Sequence, residues 1–476
     1  MNRFIRYIAL FVICTLLLPL SPALYADEMR QLDRGVVYRH ITKTAASKYP
    51  QSIHIIDINL NDPRVELKFA MPQKGLGYKE TTSSIAKANH ALAGINGNFF
   101  LNSKPPIPAD TVTINRQIIC KGPRDPAAMG ILTTKKVFID SFTPNMILSL
   151  NNPFRQFPIE AVNYPTGVGC IMYTSFYGQT TRTPKQTLEY VVLNKNGRYY
   201  IDAINHGNSN IPKGGFVLSF QGTTVNLFGN LQKGQEVFVN TYYPNGYENL
   251  NDLLACGPLL LKNGISVPID LTFREAKLKL RNPRSAVGLT NNNHLLMVAV
   301  DGRAKGISGM TYQELTKLMR ELGCRNAMAL DGGGSTALYA NGSIVNQPCE
   351  GKERQVANAI LVISQIPVYV NGARHYFTVQ PAIIGGRAYL PMDETVALLK
   401  ANVSWDAATR TLSCDSGRVT AVVPLEGQPV DPQFAATPIM INGRIMLPID
   451  FINLALGAEV HFDPATEEIW LNTLAP

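Results

Sequence analysis

The feature that most constrains the fold is an internal repeat near the C-terminus. Residues 384–414 align without gaps on residues 441–471, and 12 of the 31 aligned positions are identical. Each copy predicts a turn and a strand, a helix opened by a proline, and then two strands joined by a tight turn at Asp-x-Ala-Thr. Two such copies can bury their apolar faces against each other. The repeat therefore predicts a small duplicated α+β module over residues 366–476.

The N-terminus predicts an export signal. Arg3 and Arg6 precede an apolar run from Tyr7 to Leu20, and small residues follow as far as Ala26. This order is typical of a cleaved secretory signal peptide, so we expect residues 1–26 to be removed. The mature chain would then be secreted or associated with the cell envelope, with no integral membrane segment. The alternative is an uncleaved anchor, because residues 7–26 are just long enough to span a bilayer.

Composition limits the class of protein and its partners. The chain has 476 residues, of which 45% are hydrophobic and 17% charged, enough for two or three domains with sizeable cores. Its net charge of +9 is spread thinly, so no nucleic-acid partner is expected. Six cysteines remain after the signal peptide, and they either pair as disulfides or stay as buried thiols. None has zinc-ligand spacing, and we expect neither a metal nor a cofactor.

Residues 283–348 contain the most informative motifs. Two apolar strands run into Asp301-Gly302-Arg303 and into Asp331-Gly332-Gly333-Gly334-Ser335-Thr336. A helix that begins with the capping box Thr311–Glu314 separates them, and a strand–helix–strand unit predicts parallel pairing. Asp301 and Asp331 would then share the sheet edge where α/β proteins bind ligands, and apolar surroundings would raise their pKa values.

Several neighbouring residues suit an anionic sugar ligand. The amides of Gly332, Gly333 and Gly334 can approach an anion, and the Ser335 and Thr336 hydroxyls can donate to phosphate oxygens. Arg284 begins the strand beside the Asp301 strand and can bind phosphate bidentately. It ends a basic run made of Arg274, Lys277, Lys279 and Arg281. Asn96 and Asn98 suit sugar hydroxyls. The structural alternatives are a tight glycine turn, a solvated charged face and turn asparagines.

Six motifs in order carry a family resemblance. They are Asn96-Gly97-Asn98-Phe99-Phe100, Pro283-Arg284-Ser285-Ala286-Val287-Gly288, Asp301-Gly302-Arg303, Gly309-Met310-Thr311-x-x-Glu314-Leu315, Leu330-Asp331-Gly332-Gly333-Gly334-Ser335-Thr336 and Asn346-Gln347-Pro348. Together they resemble the phosphodiester glycosidase family over most of residues 50–365. The resemblance implies a mixed-sheet α+β domain over residues 27–365. It also implies hydrolysis of a sugar-1-phosphodiester of the N-acetylglucosamine type. Asn98 and Gln347 depart from the family pattern, which bears on sugar specificity.

The C-terminal repeat resembles the copper amine oxidase N-terminal-like domain. Its Gly-Arg, Leu-Pro and Asp-x-Ala-Thr elements match that pattern twice, over residues 366–476. The chain lacks the Asn-Tyr-Asp/Glu tripeptide of the oxidase cofactor, because Pro165 follows Asn163-Tyr164. We therefore assign the module no copper chemistry, only surface attachment or association.

The resemblance leads to a division of roles. Arg284, Asp301 and Asp331 are the predicted catalytic residues, with the two carboxylates sharing acid and base work. The predicted substrate-binding residues are Asn96, Asn98, Arg303, Gly332, Gly333, Gly334, Ser335 and Thr336. The expected partner is a sugar-phosphate glycan or envelope polymer. The alternative function is an exported protein that binds such a polymer without cleaving it.

Overall fold

The structure is a computed structural model. It describes residues 28–43, 48–103, 105–124, 127–141, 144–151, 154–228, 230–244, 246–269, 280–415, 420–425 and 434–473. The predicted signal peptide lies outside these residues, as do Arg274, Lys277 and Lys279 of the basic run. Within the described ranges, no helix has the length and apolar character needed to cross a membrane.

The fold is mostly β, so the predicted α+β class is wrong. Strands hold 50% of the described residues and helices 10%. The reason is visible in the sequence, where apolar runs are short, rich in Ile and Val, and interrupted by turn residues. The described α-helices are Thr82–Ala88, Val225–Phe228, Tyr312–Glu321, Met392–Leu399 and Ile449–Ala455, and the 3₁₀ turns are Gly222–Thr224 and Gly333–Ser335.

An eight-stranded sheet, called sheet A here, carries the motifs of residues 283–331. Its strands, in spatial order, are Glu28–Asp33, Val36–Lys43, Gln51–Asn59, His294–Val300, Arg284–Thr290, Cys324–Ala329, Leu259–Lys262 and Ile265–Ser266. The Arg284–Thr290 strand pairs antiparallel with both the His294–Val300 and the Cys324–Ala329 strands. The two strands that precede the aspartates therefore run in the same direction, but a third strand separates them. Asp301, Asp331 and Arg284 consequently lie along one edge.

Three further sheets complete the main region. Sheet B has the order Ser343–Ile344, Leu338–Ala340, Ala93–Asn96, Ala359–Ser364 and Val65–Ala70. Sheet C has the order Gln117–Cys120, Val112–Ile114, Leu250–Ala255, Ala127–Leu132 and Val137–Ser141. Sheet D has the order Phe154–Pro158, Asn145–Asn151, Glu236–Tyr242, Arg198–His206, Leu188–Lys195, Phe216–Gln221, Gly169–Thr174 and Ala161–Val162. Two short pairs join Glu80–Thr81 to Gln355–Val356 and Phe100–Leu101 to Ile107–Pro108.

Buried aliphatic side chains hold these sheets together. One core joins sheets A, B and C through residues such as Ile56, Ile95 and Met129. A second core joins sheets C and D through Val112, Ile171 and neighbouring residues. Burial of such side chains contributes about 1.5–3 kcal/mol each relative to exposure. The packing brings the edge of sheet A close to loops from sheets B, C and D.

The C-terminal repeats form their own apolar core. Its members all fall between Ile366 and Leu471. The strands Ala382–Ile384, Arg387–Pro391, Arg444–Pro448 and Ile439–Ile441 make one sheet, to which each repeat contributes two strands. The other sheets are Ala373–His375, Val368–Val370, Glu468–Asn472 and Glu459–Asp463, and then Asn402–Asp406, Thr411–Asp415 and Thr420–Pro424. The predicted order of strand, proline-initiated helix and two strands is confirmed in both copies.

Candidate active site

A cleft of about 620 Å³ opens at the edge of sheet A. It is lined by Phe99, Leu101, Ala109, Arg124, Tyr164, Leu280, Asn282, Arg284, Arg303, Tyr312, Asp331, Gly332 and Gly333. Three guanidinium groups and one carboxylate thus face the same space, together with aromatic and aliphatic side chains. This combination suits a ligand that carries both an anionic group and an apolar or sugar-like face.

Arg284 is held rigidly in the wall of the cleft. Its Nε donates to the Met310 carbonyl at 2.8 Å and its Nη2 to the Leu280 carbonyl at 2.8 Å, while its guanidinium carbon lies 3.9 Å from the Tyr312 ring centroid. Burial lowers the pKa of Arg284, and nearby Arg303 acts in the same direction, although Tyr312 opposes both. In the described part of the chain, no carboxylate lies within ion-pair distance of Arg284 or Arg303. An anionic ligand would supply the missing negative charge.

Arg124 is the third cation, and sequence reasoning missed it. Its Nε and Nη2 each donate at 2.9 Å to one oxygen of Asp110, a bidentate pair. Asp110 is fully buried, and burial raises its pKa to about 6 against the opposing effect of Arg124. A buried carboxylate thus orients a guanidinium at the cleft. No local signal reveals this pair, because Asp110 and Arg124 come from different turns of sheet C.

Asp331 is the carboxylate that lines the cleft. The backbone around it is anchored, since its N–H donates to the Gly97 carbonyl at 3.1 Å and its carbonyl accepts from Asn96 Nδ2 at 2.6 Å. Gly332 and Gly333 follow on the cleft wall. The Gly333 amide already donates to the Pro283 carbonyl at 2.9 Å, and Gly334 is buried outside the cleft lining, which leaves the Gly332 amide as the candidate for phosphate.

The glycine run is required by close neighbours. A Cβ on Gly334 would lie 2.2 Å from Arg354 Nη2, and one on Gly332 would lie 2.9 Å from the Pro283 oxygen. Gly333 has a φ of +63°, which L-residues rarely adopt, and the Arg303 guanidinium packs beside it. Arg303 itself has a φ of +57°. The guanidinium groups of Arg303 and Arg354 therefore lie against the loop that follows Asp331.

Asp301 lies in a buried network rather than on the cleft wall. It is 2% exposed, and its Oδ2 lies 3.0 Å from His54 Nε2. Its Oδ1 accepts from Asn346 Nδ2 at 3.2 Å and from the Gln347 amide at 2.9 Å. Burial tends to raise its pKa, but His54 and these hydrogen bonds outweigh it, so the pKa of Asp301 is lowered. The raised pKa expected for Asp301 is therefore wrong, because three partners, His54, Asn346 and Gln347, favour the charged form of the carboxylate.

The partners of Asp301 continue into sheet A. His54 Nδ1 lies 2.9 Å from the Tyr38 hydroxyl, and Ser52 Oγ lies 3.0 Å from both His54 Nε2 and His40 Nε2. The His40 and His54 rings are stacked, with centroids 4.3 Å apart. Asn346 also donates to the Thr336 carbonyl at 3.3 Å, which ties Asp301 to the glycine-rich loop. Asp301 can therefore position the Asp331 loop without touching a ligand.

The predicted asparagines and hydroxyls are buried away from the cleft. Asn96 accepts from Ser285 Oγ at 2.7 Å, and Asn98 Nδ2 donates to the Ala255 carbonyl at 3.1 Å. Asn358 Nδ2 donates to Asn98 Oδ1 at 2.8 Å. Ser335 and Thr336 are at most 2% exposed, and their hydroxyls have no hydrogen-bond partner among the described residues. The structure brings Arg284, Arg303, Asp331, Gly332 and Gly333 together at the cleft. Asn96, Asn98, Ser335 and Thr336 are buried behind it.

None of the six cysteines after residue 26 is in a disulfide, and five of them are buried. Sequence reasoning left disulfides and buried thiols open, and the structure favours thiols. Among the residues described, no group of three or more His, Cys, Asp or Glu side chains could hold a metal ion.

Comparison with known proteins gives a family match in each of the two regions of the chain. Residues 189–363 match the phosphodiester glycosidase family, and residues 369–471 match the copper amine oxidase N-terminal domain. An uncharacterized prophage-derived protein of Bacillus subtilis is 29% identical over 143 residues, which cover 30% of this chain and 21% of that protein. The matched region thus spans about a fifth of that relative's length.

Two solved structures share the fold. A hypothetical protein from Synechocystis superposes with a TM-score of 0.64 at 21% identity, covering 71% of this chain and 64% of that one. A Burkholderia pseudomallei protein described as exported gives a TM-score of 0.57 at 21% identity, covering 67% and 74%. By sequence, residues 189–363 are similar to the phosphodiester glycosidase family and residues 369–471 to the copper amine oxidase N-terminal domain.

Proposed function

We propose that this chain is an exported hydrolase that cleaves a sugar-1-phosphodiester, of the N-acetylglucosamine type, in an envelope or extracellular glycan. The observation that carries the proposal is the cleft in which Arg124, Arg284 and Arg303 face one carboxylate, Asp331. A phosphodiester is the group that such a set of guanidiniums would hold, because its two free oxygens match their paired donors. The phosphodiester glycosidase match over residues 189–363 supports the same chemistry.

The lining residues suggest separate tasks. Arg284 and Arg303 hold the phosphate and offset the charge that develops as the bond to the sugar breaks. Arg124, fixed by Asp110, lines the same cleft and can contact the same group. Phe99 and Tyr164 supply surfaces against which a sugar ring can pack. Asp331, the lining carboxylate, takes a proton from the attacking water and passes it to the leaving oxygen, so that hydrolysis yields a free sugar and a phosphomonoester.

The test uses the purified full chain and a nitrophenyl sugar phosphodiester. Asp331→Asn keeps the shape of the side chain and removes the titratable group, so turnover should fall by about 10²–10⁴-fold with little change in Tm. The matched control is Asp202→Asn. Asp202 lies on sheet D, is partly exposed and does not line the cleft, so this variant should keep full turnover. Reaction in heavy-oxygen water assigns the cleaved bond, since the label enters either the sugar or the phosphate.

A binding protein without catalysis is the second candidate. It is favoured by one observation, that the described cleft lining contains a single carboxylate where many glycosidases use two. Saturable binding of the diester with no turnover by the wild-type chain would select this alternative. Near-normal turnover by Asp331→Asn, with a large drop in Tm, would instead show that Asp331 only caps its turn.

A further inference from the structure

A second cavity, of about 600 Å³, lies in the β-rich region built on sheet D. Three chain segments form it, residues 165–167, 173–187 and 221–222. The roles assigned above use none of them.

Neighbouring residues of one short segment line the two cavities. Tyr164 lines the candidate active site, and the next three residues, 165–167, line the second cavity. Asn163 anchors this segment, because its Nδ2 donates at 2.8 Å to both the Ile119 carbonyl and Thr174 Oγ1. Asn163 also has a φ of +52°, which turns the chain sharply at this point. A ligand longer than one unit that leaves the cleft over Tyr164 would therefore meet the second cavity.

The lining chemistry of the second cavity resembles that of a sugar site. The buried rings of Tyr173 and Tyr177 form its floor, with centroids 4.7 Å apart and planes inclined by 57°. Exposed Pro165, Pro184 and Gln186 stand at the rim, offering apolar faces and an amide. Arg182, with its guanidinium carbon 5.5 Å from the Tyr177 ring centroid, is the cation present. Among the described residues of this lining there is no carboxylate, which favours binding over cleavage.

A buried carboxylate preorganises the threonines of this cavity. Glu189 accepts hydrogen bonds from Thr181 Oγ1 at 3.1 Å, from Thr183 Oγ1 at 2.7 Å and from the Ser209 amide at 2.8 Å. The two hydroxyl protons are thereby directed at Glu189, so the threonine oxygens are oriented before any ligand arrives. Preorganised groups lose less entropy on binding, which suits a recognition site.

From this geometry we infer that the second cavity binds a further segment of the same sugar-phosphate polymer whose diester occupies the cleft. The inference rests on the proposed substrate class. The sugar of that segment packs on the proline and tyrosine surfaces, its hydroxyls contact the threonine and glutamine side chains, and Arg182 meets the next phosphate. The protein would then recognise at least two repeating units of a polymer and act on one of them.

Equilibrium binding separates this inference from the catalytic one. Titration calorimetry compares a polymer of several sugar-1-phosphate units with a single-unit nitrophenyl diester, with Asp331→Asn present throughout to suppress turnover. Gln186→Trp fills the cavity and Arg182→Ala removes its cation. Each should weaken polymer binding by about tenfold or more and leave single-unit binding within about twofold. Lys185→Ala, an exposed neighbour outside the lining, is the matched control and should change neither affinity.

Each outcome decides one of the two proposals. Equal polymer affinity for Gln186→Trp and Lys185→Ala, with unchanged Tm, would overturn the second site, as would a polymer that binds no more tightly than the single unit. Cavity-dependent polymer binding by a wild-type chain that never cleaves the diester would uphold the second site while rejecting the hydrolase. The two failures are therefore distinguishable.

Discussion

At the scale of single residues, Asp301 and Asp331 differ in burial, although each follows an apolar strand of sheet A. Asp331 lines the cleft, whereas Asp301 is 2% exposed and surrounded by hydrogen-bond donors. The surroundings that would raise the pKa of an isolated carboxyl instead lower that of Asp301, because His54, Asn346 and Gln347 stabilise its charge. Two residues with the same local sequence context thus have different physical roles.

Asp301→Asn should mainly reduce stability. Removing this buried carboxylate leaves its hydrogen-bond donors without a charged acceptor and costs roughly 3 kcal/mol, so Tm should fall clearly. Since the pKa of Asp301 is lowered by folding, its contribution is fully present above the ordinary aspartate pKa of about 4 and is lost as pH falls through its lower folded value. Denaturant unfolding at pH 7 and at pH 3 should show the wild-type advantage shrinking in acid.

Asp57→Asn is the control for that experiment. Asp57 also pairs with a histidine, His294, and with Arg39, but it is partly exposed. Its loss should cost about 1 kcal/mol or less. An equally small effect for Asp301→Asn would contradict the buried-network account.

Arg284→Lys should raise KM by about tenfold or more, because lysine cannot keep both carbonyl contacts and still present paired donors to phosphate. Steady-state kinetics on the nitrophenyl diester measures this. Arg281→Lys is the matched control, since Arg281 pairs with Glu314 and stacks on Tyr49 outside the cleft lining. Equal KM values for the two variants would remove Arg284 from the phosphate site.

At the scale of elements, the helix Tyr312–Glu321 connects two strands of sheet A, His294–Val300 and Cys324–Ala329, which lead into Asp301 and Asp331. The capping box is confirmed, because the Thr311 hydroxyl accepts from the Glu314 amide at 3.2 Å and Glu314 Oε2 accepts from the Thr311 amide at 2.9 Å. The helix buries Tyr312, Leu315, Leu318 and Met319 against sheet A. It therefore fixes Tyr312 under the Arg284 guanidinium.

Thr311→Ala should cost about 1 kcal/mol of stability by leaving a helix N–H without its cap. Urea unfolding monitored by circular dichroism measures the change, and turnover at saturating substrate should persist because Thr311 does not line the cleft. Thr316→Ala would be a poor control, as Thr316 is buried. Thr290→Ala, at a partly buried strand end, is better and should cost less. A stabilised Thr311→Ala variant would refute the capping argument.

At the scale of the whole molecule, polar contacts join the C-terminal module to the main region. Glu467 pairs with Arg34 and Arg64, and Glu66 contacts Arg374 and Tyr376. Glu467 occupies the repeat position of Arg410, and both residues have positive φ. The two copies of the turn thus share a backbone and differ in the side chain that reaches the main region.

A chain ending after Gln365 should remain folded and keep its turnover. Each region has a separate apolar core, and the ion pairs between them are partly exposed and individually weak. Thermal unfolding and diester kinetics of the shortened chain check this. Glu467→Ala in the full chain removes only the ion pairs to Arg34 and Arg64 and is the milder variant for comparison. Loss of cooperative unfolding or of all turnover in the shortened chain would place the boundary elsewhere.

The sequence by itself determined the local features of this protein. The capping box, the strand in front of each Asp-Gly, and the duplicated strand–helix–strand unit all depend on residues a few positions apart, whose propensities and hydrogen bonds act locally. It also identified Arg284, Arg303, Asp331 and the glycines, because family motifs are contiguous. The abundance of short β-forming runs was visible as well, yet the helices at the informative motifs led to the wrong α+β class.

Tertiary structure alone decided which of these residues meet a ligand. The burial of Asp301, Asn96 and Asn98 depends on partners more than 150 positions away, such as His54, Ser285 and Ala255. The Asp110–Arg124 pair likewise forms across a hairpin of sheet C, and the second cavity forms where three separate segments of sheet D come together. Desolvation and hydrogen bonding set the charge and reach of a side chain, and both depend on neighbours brought by long-range packing. For that reason the residues at this end of sheet A were predictable from sequence, and their division between cleft and interior was not.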